Sequence, residues 1–347
     1  MAISLLKVRA PRWTQPALLT YGAPLQVVIE APLSPEASLY LSADDKAVSL
    51  PKPIQTPVCD GLIACEAVVP HDTPPGLYAL VLDDNGRRYV SPNAVAVIAS
   101  FSPTCTFLHT SDLHLIAPGG EGAPQDQSAR AMALVAHINA LRPAFVVHTG
   151  DLISRYGPHK EPLSAQLIEW QARRAQEILL GLHVPLFVTV GNHDMAFPSS
   201  RRAWRKYMGT AWAGPRNDYG FDYGSCHFSL VDCFVHYGPG QLPGPRSLTP
   251  AQCTWLQEDL RRAADRRWRF VFVHYDYLRQ LDVLLAGLRV DMLFYGHAGR
   301  QDHPVLEREG VRDGHLAAGN AYRLVTVTAN DISSTLVSWA ELLAGKA

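Results

Sequence analysis

Organised cysteine chemistry is the first thing this chain lacks. Its six cysteines, at 59, 65, 105, 226, 233 and 253, form no C-x-x-C pair and no zinc-finger spacing. That excludes a structural thiolate site or a redox motif of the usual kinds. Cys59 and Cys65 are close enough in sequence to bridge, but free buried thiols are the default in a reducing compartment. Neither sign of charge is in excess. Lysine plus arginine total 31 against 32 acids, a net charge of −1, so nothing electrostatic draws the chain to nucleic acid. No apolar run reaches membrane-spanning length, so no membrane partner is expected. The opening MAISLLKVRAPRWTQP puts Lys7 and Arg9 beyond a very short apolar stretch, the wrong order for a secretory signal, and a cytoplasmic protein is expected. Helical periodicity is missing from the first hundred residues. So is any carboxylate cluster around their one histidine, His71.

What is present suits a globular chain with a sizeable core, at 47% apolar and 18% charged residues. The length of 347 residues suggests two domains, and the pattern changes near residue 100. Residues 1–100 read as short strands: LQVVIEAP, ASLYLSA, LIACEAVV, GLYALVLDD and RYVSPNAVAVI, divided by turns such as Asp84-Asn85-Gly86. An all-β immunoglobulin- or fibronectin-like sandwich is expected there. From residue 104 to 347 strands alternate with helices. Leu134, Ile138 and Leu141 share one helical face, as do Ile168, Ala172, Ala175, Leu179 and Leu182. GFDYGSCHFSLVDC reads as a hairpin, and Thr249-Pro250 opens a helix running to about 265. This is the alternation of an α/β or α+β sandwich.

The informative feature is what each apolar strand runs into. CTFLHTS ends in Asp112-Leu113-His114, and AFVVHTG in Asp151. LFVTVG ends in Asn192-His193-Asp194, RFVFV in His274 and MLFYG in His297. Ligands bind at the C-terminal edges of such strands. Carboxylate, imidazole and amide groups are donors for hard or borderline divalent ions. His109 and His148 lie within strands and suit core or supporting positions.

The ordered set DLH at 112–114, GD at 150–151, GNHD at 191–194, VHY around 274 and GHAG at 296–299 resembles the calcineurin-like metallophosphoesterases. The resemblance spans about 104 to 330. It implies a four-layer sandwich and metal-dependent hydrolysis of phosphate esters, by attack of a metal-activated hydroxide on phosphorus. It also implies two divalent ions, with manganese favoured and iron or zinc as alternatives. Asp112 and His114 would hold the first ion, Asp151 would bridge, and Asn192, His274 and His297 would complete the second site. His193 would contact the phosphate and protonate the leaving oxygen, and Asp194 would orient its imidazole. A small phosphate ester is the expected partner, with a phosphodiester favoured. A phosphomonoesterase or pyrophosphatase of the same fold, or a degraded binding protein retaining it, are the alternatives. The sequence says nothing of oligomeric state.

One position departs from the family pattern. G-H-x-H has become Gly296-His297-Ala298-Gly299, so the second histidine, a ligand of the first ion, is missing. His303 is the nearest substitute in sequence. Tyr275 and Arg300 stand beside the proposed ligands as candidates for the substrate pocket, with Asp276 and Asn320 as further neighbours. The Gly/Pro-rich stretch 236–247 is a candidate substrate wall.

Overall fold

A computed structural model describes residues 7–44, 46–51, 54–58, 61–115, 128–154, 162–209, 218–232, 248–275, 281, 284–285, 287–298, 312–317 and 321–338. Cys59, Cys233, Asp276, Gly299, Arg300, His303, Asn320 and the stretch 236–247 lie outside the described residues.

The first region contains β1 (Val8–Ala10), β2 (Ala17–Thr20), β3 (Pro24–Glu30), β4 (Ser38–Ala43), β5 (Lys46–Ser49), β6 (Ile54–Pro57), β7 (Leu62–Val68), β8 (Gly76–Asp84) and β9 (Arg87–Ile98). They form two sheets, ordered β1-β3-β7-β6 and β2-β9-β8-β4-β5. Alternate residues of most strands, such as Leu25, Val27 and Ile29 or Val95 and Val97, meet in one buried cluster. The Asp-Asn-Gly turn joins β8 to β9, with Asn85 and Gly86 at φ 50° and 71°. Positive φ at both central positions gives a hairpin turn that matches strand twist, which is why Asn-Gly serves there.

The second region follows the expected alternation. Its elements are β10 (Cys105–Thr110), α1 (Ser128–Leu141), β11 (Val146–His148), α2 (Ala165–Leu179), β12 (Leu186–Val188), α3 (Asn192–Met195), α4 (Pro198–Tyr207), β13 (Tyr219–Tyr223), β14 (Cys226–Leu230), α5 (Pro250–Arg262), β15 (Trp268–Phe272), β16 (Met292–Ala298), β17 (Arg312–Ala317), β18 (Ala321–Val327) and β19 (Ile332–Ser338). Two mixed sheets result, ordered β12-β11-β10-β18-β19 and β13-β14-β15-β16-β17. Strands β10 to β12 are mutually parallel, as are β14 to β17, while β13, β18 and β19 pair antiparallel. Phe107, Phe145, Phe187, Phe228, Phe270, Phe272 and Phe294 fill one cluster between the sheets. Phe272 stacks on Phe294 at 4.4 Å, and Phe107 meets Phe228 edge-on at 5.4 Å. The opposite registers (Leu108, Val146, Leu186, Val271, Leu293) join a second cluster with the buried helix residues. Leu134 and Ile138 are buried as expected, but Leu141, the last residue of α1, is 42% exposed because the helical stripe has run off its edge. α5 opens with Thr249 as N-cap in a capping box with Gln252. No helix among the described residues is long and apolar enough to cross a membrane.

The change of pattern at residue 100 is not a clean cut in space. Trp13 is buried in the same cluster as α1 and α2, and its Nε1 donates to Tyr207 O at 2.9 Å. Val188 N, at the edge of β12, donates to Thr14 O at 2.9 Å. Asn93 Nδ2 donates to Leu180 O at 3.1 Å.

A charged network ties β13 and β14 to α5. His227 lies between Asp222 (2.7 Å) and Asp259 (2.9 Å), and Ser229 Oγ donates to Asp259 at 2.8 Å. Burial works against a charged imidazole, but the two carboxylates outweigh it and hold His227 up to about 9. Its folded value exceeds the unfolded value of about 6.5, so its stabilisation is complete below that pH and lost as pH rises through about 9. His227→Gln should therefore flatten the fall of melting temperature over that window. A fall as steep as the parent's would remove His227 from the pH response.

Candidate metal centre

The proposed ligands sit where parallel strands stop, and the inner register of β15 carries His274 directly into the site. Phe270 and Phe272 face the core between the sheets, and the next residue in that register is His274. His109 continues Phe107 in the same way and packs edge-on against Phe294 at 5.2 Å. Beyond the strand ends the backbone turns sharply. Asp112, His114, Asp151 and His297 have φ of 56°, 44°, 58° and 58°, a region L-residues rarely enter. At His297 the turn coincides with a register shift in the β16–β17 pairing. Such outliers persist only where the surroundings over-determine them, and they gather at functional sites.

The motif glycines let these turns touch. A Cβ on Gly191 would collide with the Asp151 carboxylate, and one on Gly296 with Ser111 Oγ and Asp112 Oδ2. Gly150, at φ 95°, lies against the backbone of Val190 and Gly191. The Gly150 and Gly191 loops thus approach at backbone distance, and Gly296 leaves room for the Ser111 and Asp112 side chains.

At their meeting point is Asp151. Its Oδ1 accepts the His193 N–H at 2.7 Å, but its Oδ2 is buried and has no hydrogen bond. Around Oδ2 stand Nε2 of His274 at 3.3 Å, His114 at 3.8 Å and His193 at 3.9 Å. Donors that share a cation at about 2.0–2.2 Å each are themselves roughly 3–4 Å apart, so this spacing suits ions better than direct bonds. His274 Nδ1 lies 2.7 Å from Thr149 O, which can only accept, so Nδ1 keeps its proton and Nε2 faces the cluster. Nε2 is 3.0 Å from Asn192 Oδ1. Asp112 Oδ1 faces His114 Nε2 at 3.3 Å, and its Oδ2 accepts from Ser111 Oγ at 2.6 Å and His297 N at 3.0 Å. The orphaned oxygen and the oxygen/imidazole donor set fit divalent ions.

Ligand atoms of Asp112, Asp151, His274 and His297 lie within 4.8 Å of one another, and those of His114, Asp151 and His193 form a second such group. Asp151 belongs to both groups. Asp112 gathers with His274 and His297 while also facing His114 Nε2 at 3.3 Å, and the His193 ring stands beside that of His114 with centroids 4.6 Å apart.

Asp194 has a different part from the one expected. It is fully buried, and its carboxylate accepts from Asp151 N (2.8 Å), Gly191 N (2.8 Å) and Ile153 N (3.3 Å). It makes no bond to the His193 ring. The physical reason is its place on α3: as the third residue after Gly191 it caps that helix start and reaches across to the Asp151 turn. Asp194 clamps two ligand loops together.

Electrostatics follow the same geometry. Burial disfavours charge on Asp151, but His274 and His193 outweigh it and hold the carboxyl well below the usual range. Burial likewise opposes charge on His274, but Asp151 holds it up to about 9. Burial, then the charge of Asp151, pushes Asp194 up to about 7 against its backbone bonds. Cations entering this cluster would displace imidazole protons, so their affinity should rise with pH.

Of the supporting residues, His148 Nδ1 bonds Thr110 Oγ1 at 2.8 Å and His109 Nε2 bonds Thr149 Oγ1 at 2.9 Å, both fully buried beneath the ligands. Burial takes His148 down to about 4, so it is neutral. Tyr275 is buried with its ring 4.1 Å from that of His297. Ser111 was not anticipated. Its signal was only its place, between a strand and the D-x-H segment.

Parallel strands ending in a shared, buried carboxylate ringed by imidazoles define a metal-dependent hydrolase. Residues 105–300, more than half of the chain, match the calcineurin-like phosphoesterase family, and the chain belongs to it. No curated protein matches the sequence. Among solved structures the chain is similar to a dimetal phosphatase from Danio rerio, at 13% identity and a TM-score of 0.52, over 68% of this chain and 100% of that one. It is also similar to the sulfate thiohydrolase SoxB from Thermus thermophilus, at 16% identity and a TM-score of 0.43, over 69% of this chain and 59% of that one. The family is dinuclear and metal-dependent, and it hydrolyses phosphoesters.

Proposed function

We propose that the chain is a manganese-dependent phosphodiesterase, with a four-layer catalytic domain over 104–347 and an immunoglobulin- or fibronectin-like accessory sandwich over 1–100. The observation that carries this is the orphaned Asp151 Oδ2, ringed by His114, His193 and His274. Asp112, His114, Asp151, Asn192, His274 and His297 would hold two ions. Bound there, the ions supply Lewis acidity at phosphorus and a nucleophile at neutral pH. The residues themselves orient the ions and exclude competing groups. Asp151 would help to hold both ions while its Oδ1 accepts the His193 N–H, and Asp194 keeps the loops in register.

Charge balance favours diesters. Two divalent ions against the carboxylates of Asp112 and Asp151 leave two positive charges for the reactants. A monoanionic diester with one hydroxide neutralises them, whereas a dianionic monoester leaves excess negative charge in a buried site. Purified protein should hydrolyse bis(p-nitrophenyl) phosphate, lose that activity to a chelator, and regain it saturably with added manganese. Hydrolysis of no phosphoester with manganese, iron or zinc, despite ion binding, would make the chain a binding protein that keeps the fold.

A further inference from the structure

We propose that the outer face of the β2-β9-β8-β4-β5 sheet binds a neutral oligosaccharide in a trough beside Tyr40; the proposal is independent of the phosphoesterase reading. Leu39, Leu41, Leu80 and Leu82 turn into the core of the first region. The alternate residues Tyr40, Ser42, Val81 and Asp83 therefore face the other way. Strand register arranges this outer face in rows: Tyr40 lies opposite Val81, Ser42 opposite Ala47 and Ala79, and Asp83 opposite Arg88. The Ser42 row holds only small side chains, so the sheet surface falls away beside the half-buried Tyr40. The resulting trough has a volume of about 560 Å³, within the range of small-molecule sites.

Two pairs of opposite charge flank the trough. At one end Arg88 Nε and Nη2 donate to Asp83 Oδ1 and Oδ2 at 3.3 and 3.4 Å, and Arg88 Cζ lies 5.7 Å from the Tyr40 ring centroid. These bonds use two of the five guanidinium N–H groups, which leaves three for a bound molecule. At the other end the β4–β5 turn presents Asp44 and Lys46, both exposed and both lining the trough. The four charges cancel. A polyanion would meet two carboxylates and a polycation two basic groups, so the lining favours a neutral molecule. A sugar hydroxyl donates one hydrogen bond and accepts up to two, and so satisfies carboxylate and cation together. The C–H face of a pyranose suits the Tyr40 ring and the apolar floor at Val81, which is 3% exposed. A peptide would instead add to a sheet edge through its backbone.

A printed array of neutral glycans, probed with the labelled full chain and followed by calorimetric titration with the best-retained soluble tetrasaccharide, tests the proposal. The parent should retain neutral glycans and bind tetragalacturonate, the acidic control, more weakly. Tyr40→Ala should weaken the tetrasaccharide by roughly 5-fold or more, the loss that marks a central contact residue. Ser42→Trp, which fills the trough with a strand-compatible side chain, should abolish binding. Melting temperatures should confirm that both variants fold, and their turnover of a chromogenic diester should equal the parent's. Retention of no neutral glycan by the parent would overturn the proposal. So would parent-level affinity in both folded variants, or tighter binding of tetragalacturonate than of the neutral tetrasaccharide. A parent that binds the glycan through this trough but hydrolyses no phosphoester would support the site and overturn the hydrolase reading alone.

Discussion

Asp151→Asn is expected to abolish measurable phosphoester hydrolysis while leaving the chain folded. The amide oxygen can still accept the His193 N–H that Oδ1 accepts at 2.7 Å. Its nitrogen then occupies the position of Oδ2, which is buried, without a hydrogen bond and faced by three imidazoles. An NH₂ group there repels cations and shares no negative charge with either ion position. Loss of one preorganised electrostatic contact costs about 10²–10³-fold in rate. Asp151 belongs to both donor groups, so on the proposed bridging role the loss should exceed ~10³-fold, and ion content should fall with it. Elemental analysis, turnover of a chromogenic diester and thermal denaturation measured together decide the matter. Parent-level turnover by a folded variant would refute the bridging assignment.

The largest effect on stability is expected far from the metal centre, at Trp13. The side chain is 1% exposed and lies among helix residues of the second region, although its own segment belongs to the first. Truncation to alanine removes a large buried ring and one of two donors to Tyr207 O, the 2.9 Å bond from Trp13 Nε1, leaving that of Gln176 Nε2 at 2.7 Å. Replacing a buried tryptophan by alanine typically costs ~3–5 kcal/mol. Trp13→Ala should therefore lower the urea midpoint of the second region, and Asn93 should remain as a weaker tie between the regions. A shift equivalent to less than about 1 kcal/mol would mean that the site collapses around the lost ring or that the two regions unfold independently.

Several of these features were legible in sequence for a local reason. Period-two alternation marks Leu25, Val27 and Ile29, and Asn85-Gly86 marks its turn, because side-chain direction and allowed φ depend on neighbours only. The proposed ligand residues were legible because each sits at or just past the end of its own strand, from Asp112 to His297. The glycines of the GD, GNHD and GH segments were visible as letters but not as contacts. Their need arises where Gly191 meets Asp151 and Gly296 meets Asp112, pairs far apart along the chain.

By itself, then, the sequence determined the strand and helix alternation, the donor types and the loops that carry them, since these follow from local periodicity and from residues adjacent to strand ends. Tertiary structure alone decided which donors gather around the Asp151 carboxylate, why Asp194 serves two backbone loops rather than the His193 ring, and that Trp13 crosses into the second core. Each of those outcomes depends on where several strand ends arrive in space. Hydrogen-bond satisfaction and close packing settle that point only after the two sheets have closed on their phenylalanine core.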